Sequence, residues 1–249
     1  MPAVNWKAAT KVYCGSFFNQ FYPCLLCGKK SRTLLCPHCM VLLTPLQGPL
    51  CRCSLPMPGA DNSQPPPLCG RCVRRPPPFA ASHSPLIYSH PLDRLIQRYK
   101  HHGDLVCENA LEQLLAGMPL PWPDTDVLCA VPAHWRRRWW RGFDQSQRLA
   151  TRLSLLWQRP LLPALLRQHA TASQQGLKRT QRERNLRRAF QCVTPVTGLT
   201  ITLIDDVMTT GSSARAASRT LIDAGAHQVH VWTLARTLPH KHTLDAHNG

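Results

Sequence analysis

Residues 200–218 read TITLIDDVMTTGSSARAAS. From Leu199 to Ile204 apolar residues alternate with Thr, and β-branched side chains dominate, which predicts a strand running into a core. Asp205 and Asp206 fall where that strand is expected to end. Thr209, Thr210, Gly211, Ser212 and Ser213 follow, and the Ala-rich run from Ala214 to Ala224 predicts a helix. Strand, polar turn and helix in this order aim backbone N–H groups and a helix N-terminus at an anion. The four hydroxyls add donors, and Gly211 lets the backbone come close. Helix capping also favours Asp, Ser and Thr. Capping alone does not require two Asp, two Thr, a Gly and two Ser in this order.

The stretch is not a Walker A loop, because two carboxylates stand where a nucleotide-binding loop carries Lys. Carboxylates repel a bare phosphate, so they fit only a ligand whose ribose hydroxyls or hydrated Mg²⁺ they can hold. LIDDVMTTGSS resembles the phosphoribosyl pyrophosphate (PRPP) loop of type I phosphoribosyltransferases. The resemblance implies PRPP with Mg²⁺ as ligand and Asp205 and Asp206 as catalytic residues holding ribose hydroxyls or metal. It also implies Thr209, Thr210, Gly211, Ser212 and Ser213 as the holders of the 5′-phosphate.

Working outward, the chain has 249 residues, 12 Cys, 23 Pro and a formal charge of +17. That length buries a substantial core in one or two domains. No 20-residue apolar span and no signal-peptide pattern is read, so a cytoplasmic protein without a transmembrane segment is expected. Clustered Cys there mean metal more often than disulfides. The positive charge calls for an anionic partner.

Eight of the Cys fall between Cys24 and Cys72. Cys24-x-x-Cys27 and Cys36-x-x-Cys39 are two knuckles, with Gly28 permitting a tight turn after the first. Together they predict a tetrahedral structural zinc site for a segment too small to fold on its own core. Cys51-x-Cys53 and Cys69-x-x-Cys72 form a second set with zinc-ribbon spacing, although its first unit is one residue short of a knuckle. Spacing alone leaves open one zinc or two, and an interleaved pairing. His38 reads as a bystander. Residues 54–67 read as a Pro-rich loop, and the run Arg74-Arg75-Pro76-Pro77-Pro78 reads as a stiff linker between domains.

Beyond it, Ser84–Tyr88 is strand-like, Leu92–Tyr99 and Leu105–Met118 have helical spacing, and Asp126–Val131 reads as a buried strand. Then comes HWRRRWWRGFDQ, from His134 to Gln145, and an amphipathic run through Trp157. Between Arg136 and Arg188 there are 14 Lys or Arg against two acids, a balance of +12. Charge this concentrated is an electrostatic footprint for polyanions. Trp135, Trp139 and Trp140 suit either burial or stacking on unpaired bases. Residues 171–190 read as a solvated helix or as a loop that orders over a ligand. Gln228–Leu234 alternates as a strand and completes a βαβ unit with 200–224. The last residues, 239–249, read as a disordered tail.

VPAHWRRRWWRGFDQ, SQQGLKRTQRERNLRRAF, LIDDVMTTGSS and the CxxC units together resemble the ComF/GntX family of phosphoribosyltransferase-like proteins, from about Cys24 to Arg236. The implied fold is α/β: a type I phosphoribosyltransferase-like parallel sheet flanked by helices, preceded by a small Cys-rich zinc-ribbon domain. Residues 1–78 form the Cys-rich region with its linker, and residues 79–238 the phosphoribosyltransferase-like domain. By the resemblance the turn after the 126–131 strand is a pyrophosphate loop, and 167–190 is a loop that closes over substrate. Arg136, Arg137, Arg138, Arg141, Lys178 and Arg179 then contact pyrophosphate or DNA. The family's link to competence and to DNA as a nutrient implies single-stranded DNA and a DNA-import machinery as partners. Three functions are weighed: ribosyl transfer to an unnamed acceptor, DNA binding on the same fold, and PRPP sensing without turnover.

Overall fold

The computed structural model describes residues 21–60, 67–102, 105–133, 143–168 and 189–239. Its centre is a five-stranded parallel sheet built from β3 (Ala81–His83), β4 (Leu86–Ile87), β5 (Val127–Ala130), β8 (Thr200–Met208) and β9 (Gln228–Arg236). The spatial order is β3-β9-β8-β5, and β4 continues along β9 beyond β3. β8 and β9 are nine residues each and lie in the middle, buried on both faces over most of their length.

Alternation along the strands sorts the core into two halves. Leu128, Ala130, Ile204, Trp232 and Leu234 pack against α3 (Leu92–His102), α4 (Leu105–Leu115) and α5 (Gln145–Trp157). Cys129, Val131, Ile201, Leu203, Val229 and Val231 pack with α6 (Ser212–Asp223) through Ala214, Ala217 and Leu221. Small residues on α6 let it lie close to the strands. The expected βαβ unit is therefore present, with β8 and β9 parallel and α6 between them in sequence.

The Cys-rich region begins with an antiparallel pair, β1 (Tyr22–Pro23) and β2 (Lys30–Ser31), and carries α1 (Pro37–Val41) and α2 (Gly70–Arg74). Its Leu35, Met40 and Leu43 enter the α3–α5 half of the core. Its Cys51, Cys53 and Cys72 enter the α6 half beside Phe79. The chain is thus a helix-flanked parallel sheet preceded by two cysteine groups.

Two details differ from the sequence reading. β8 does not stop at Asp205 but runs to Met208, because Val207 and Met208 continue the ladder opposite Ala235 and Arg236. The acidic pair therefore sits inside the strand, as its sixth and seventh residues of nine. An antiparallel pair that periodicity did not reveal, β6 (Leu165–Arg167) with β7 (Phe190–Cys192), flanks positions 169–188. Among the described residues no helix is long and apolar enough to cross a membrane.

Candidate functional site

The carboxyl edge of the sheet brings together three elements. The first is the acidic pair. Asp205 accepts a hydrogen bond from Ser146 Oγ at 2.8 Å and one from the Asp206 backbone N–H at 2.9 Å. Burial, followed by the neighbouring Asp206 charge, pushes its carboxyl up to about 7. Asp206 forms an ion pair with Lys100 Nζ at 2.7 Å and accepts the Val207 N–H at 2.6 Å. A lysine from α3 thus balances the charge of the second carboxylate. One carboxyl that holds its proton near neutrality beside one that is ion-paired makes an unequal pair.

The second element is the hydroxyl loop. Thr209 and Thr210 are exposed, and Gly211, Ser212 and Ser213 are half-buried. Gly211 has φ +72 and is the N-cap of α6. A left-handed residue without a Cβ lets a ligand come close to the helix start, and the glycine cap itself has no side chain to bond there. Thr210 Oγ1 lies 2.8 Å from Ser212 Oγ and accepts the Ser212 N–H at 3.3 Å. The structure therefore places Asp205, Asp206, Thr209, Thr210, Gly211, Ser212 and Ser213 on one strand-turn-helix corner, as the sequence order requires. Beneath it lies Arg236, 3% exposed, whose Nη1 donates to the Met208, Thr209 and Thr237 carbonyls.

The third element is the pair of brackets around the basic segments. Ala133 and Asp144 bound positions 134–142 closely, and the Ala133 N–H donates to Asp144 Oδ2 at 2.9 Å. The other Asp144 oxygen caps α5 by accepting from Ser146 and Gln147. This fixes Ser146 where its hydroxyl reaches Asp205. Gln168 and Ala189, the described residues on either side of 169–188, meet beside the β6–β7 pair, where Arg167 is opposite Phe190 and the Gln168 N–H donates to the Ala189 carbonyl. Arg136, Arg137, Arg138, Arg141, Lys178 and Arg179 lie outside the described residues, as do Trp135, Trp139 and Trp140.

The eight cysteines form two separate groups, Cys24/Cys27/Cys36/Cys39 and Cys51/Cys53/Cys69/Cys72, with ligand atoms within 4.8 Å of one another in each. The pairing is sequential rather than interleaved, and His38 belongs to neither group. Sγ separations are 3.8 Å for Cys27–Cys36, 3.6 Å for Cys51–Cys53 and 3.8 Å for Cys53–Cys69. A tetrahedron with Zn–S bonds of about 2.3 Å has edges of about 3.8 Å, so both groups fit a structural zinc ion. These distances are far too long for disulfides.

Backbone N–H groups already face the sulfurs: Cys36 donates to Cys24 Sγ at 3.4 Å and Cys69 to Cys51 Sγ at 3.2 Å. Burial would raise the Cys24 thiol, but N–H donors from Cys36, Cys27 and Leu26 outweigh it and bring it down to about 6. Gly28 takes φ +73, as the first knuckle demands. The short Cys51-x-Cys53 unit works because Ser54, at φ 55, turns the chain back and its N–H donates to the Cys51 carbonyl at 2.7 Å.

Sequence reasoning missed Lys100, Ser146, Arg71 and Arg236. Lys100 and Arg71 carry no local signal, being one cation among several on their helices. Ser146 follows the capping Asp144 and was within reach of a capping argument. Arg236 was the most legible, the one Lys or Arg in a strand buried over nearly its whole length.

No family model matches the chain. It is 35% identical over 231 residues to the DNA utilization protein YhgH of Escherichia coli (strain K12), an alignment covering 86% of this chain and 90% of that protein. Competence protein F of Haemophilus influenzae is 30% identical over 182 residues, 68% of this chain and 78% of that protein. Competence protein ComFC of Bacillus subtilis is 28% identical over 158 residues, 60% and 62% of the two chains. With a helix-flanked parallel sheet, two tetra-cysteine groups ahead of it and relatives at 30% identity or more matched over 78% to 90% of their length, the chain belongs to the ComF family.

Proposed function

We propose that this protein binds PRPP with Mg²⁺ at the carboxyl edge of β8 and serves the uptake of DNA or its use as a nutrient, working in the cytoplasm. The observation that carries the ligand reading is the corner itself: two adjacent carboxylates near the end of β8, then a hydroxyl loop opening a helix N-terminus. Asp205 and Asp206 hold the ribose hydroxyls or the metal, and Thr209–Ser213 hold the 5′-phosphate. The basic residues 136–138, 141, 178 and 179 take the pyrophosphate; this is supported by Ser146, beside the first segment, bonding to Asp205, and by Arg167, beside the second, donating to the Pro132 carbonyl just past β5. In transfer to an acceptor the bond from the ribose carbon to pyrophosphate breaks as the bond to the acceptor forms, and these cations receive the departing pyrophosphate, so that positioned charge rather than a covalent nucleophile serves the step. The DNA half of the reading is supported by relatives named for DNA utilization and competence. A second reading, a DNA-binding platform on the same fold, is favoured by the balance of +12 over residues 136–188.

Calorimetric titration of zinc-loaded protein with PRPP, with and without Mg²⁺, separates the two. Micromolar, Mg²⁺-dependent binding that falls at least about 100-fold in the Asp205→Asn/Asp206→Asn variant is expected. Equal affinity in that variant would remove the carboxylates from the ligand site. No binding at all would leave single-stranded DNA as the ligand to titrate.

A further inference from the structure

The second cysteine group is wired to the hydroxyl loop. Arg71, on α2 between Cys69 and Cys72, donates through Nη1 to the Thr210 carbonyl at 2.7 Å. Arg236 donates through Nε to the Cys53 carbonyl at 3.0 Å and through Nη1 to the carbonyls of Met208 and Thr209. Arg215, in the first turn of α6, donates to Cys72 Sγ at 3.3 Å and to the Arg75 carbonyl at 2.8 Å. Three cations therefore join the tetrad's backbone and sulfur to both sides of Gly211. The planar guanidinium fork suits this bridging of several carbonyls at once. Among the described residues the first group makes no such link: its neighbourhood is tied by Gln113, which exchanges two hydrogen bonds with the Leu35 backbone at 3.1 and 2.9 Å.

Loss of a tetrahedral ion frees Cys51–Cys53 from Cys69–Cys72. The Cys53 carbonyl and the Arg71 side chain then lose their fixed places, and the loop carbonyls at 208–210 lose the donors that hold them. An anion site made of backbone N–H groups works only while the backbone is held in one conformation.

We propose that the second tetra-cysteine group is the positioning element of the hydroxyl loop, with Arg71 and Arg236 as its couplers, so that metal occupancy there and anion affinity at the loop are linked. The linkage is reciprocal: an anion seated on Thr209–Ser213 retains the metal more tightly, and a held metal raises anion affinity by the same factor. The anion half rests on the phosphate reading of the loop, whereas the metal-to-backbone half does not.

The test uses the full chain, zinc-loaded, in a Cys27→Ser background that leaves only the second group complete. Amide exchange across 208–214 and chelator-driven zinc release are followed for this parent and for Arg71→Ala and Arg71→Lys within it. Arg71→Ala is expected to speed both processes roughly tenfold while the β9 amides stay protected, and Arg71→Lys to restore part of the loss. Removing the metal by Cys69→Ser is expected to expose 208–214, whereas Cys27→Ser alone leaves that stretch as protected as in the wild type. Should Cys69→Ser unfold the sheet as well, the Arg71 variants decide alone. Unchanged zinc release in Arg71→Ala, or equal loop exchange in Cys27→Ser and Cys69→Ser, overturns the proposal. Adding Mg²⁺-PRPP is expected to slow zinc release from the parent. If it changes nothing while the Arg71 effects stand, the ligand assignment falls and the positioning role remains.

Discussion

The two cysteine groups have the same donors and different neighbours. Cys24, Cys36 and Cys39 form their own small cluster with Leu26, and the segment reaches the main core through Leu35, Met40 and Leu43. Cys51, Cys53 and Cys72 instead lie within the α6 half of the core, beside Phe79, Val131 and Leu203. Ser54 Oγ also sits 2.8 Å from Ser82 Oγ on β3, and Arg236 holds the Cys53 carbonyl. The lesson is that a structural metal site is defined by what its loops touch as much as by its ligands. The unit that looked malformed in sequence, CxC, belongs to the group more deeply built into the sheet.

The largest effect should come from the second group. Cys72→Ser is expected to lower stability by more than about 3 kcal/mol and to broaden thermal unfolding, because a core-embedded staple is lost. Cys27→Ser, at the exposed ligand of the first group, is expected to lose its own zinc with a much smaller fall in Tm. Equal losses of Tm would erase the distinction.

Gln113→Leu tests the other tether. It leaves the Leu35 N–H and carbonyl without their buried partner, at a cost of about 2 kcal/mol. Mg²⁺-PRPP affinity should hardly change, and a matching loss of affinity would show that the first group also serves the loop.

pH sharpens the comparison on the ligand side. Asp205 is held up to about 7, so the folded state grips this proton more tightly than the unfolded chain does. Its contribution to stability is complete below the ordinary carboxylate value and is lost as pH rises through about 7. Metal or ribose binding asks for the opposite, the deprotonated form. Mg²⁺-PRPP affinity should therefore fall as pH drops below about 7, by up to about tenfold per unit, and Asp205→Asn should abolish that slope. Cys27→Ser should keep the slope and Cys69→Ser should lose it together with affinity. A flat profile in the parent would place the proton elsewhere.

The smallest effect is at the hinge of the loop. Gly211→Ala places a Cβ at φ +72 with only Met208 nearby, at 3.6 Å from its sulfur, so backbone strain dominates over crowding. About 1 kcal/mol of stability is expected to be lost. Affinity should drop with it, measured by denaturant unfolding and titration side by side. An unchanged affinity would mean that the helix start tolerates the shift.

Much of this molecule was legible in one dimension because its signals are local. Alternation in 200–204 and 228–234, the Ala-rich run after Gly211 and the CxxC units each follow from the chemistry of a few neighbouring residues. The strand end at 205 was misplaced, because two Asp read as a stop while the ladder to β9 carried the strand three residues further. The β6–β7 pair was missed because each strand has three residues, too few for a period to declare itself.

By itself the sequence determined the order strand, acidic pair, hydroxyl loop, helix, and the two sets of four thiols, since both depend on residue type and close spacing. Only the tertiary structure decided the rest. It gave Asp206 its Lys100 partner from α3, set Ser146 against Asp205, kept the two cysteine sets from interleaving and joined one of them to the loop through Arg71 and Arg236. Such contacts join residues far apart in the chain, and a long flexible cation looks the same in sequence whether it faces solvent or a buried carbonyl.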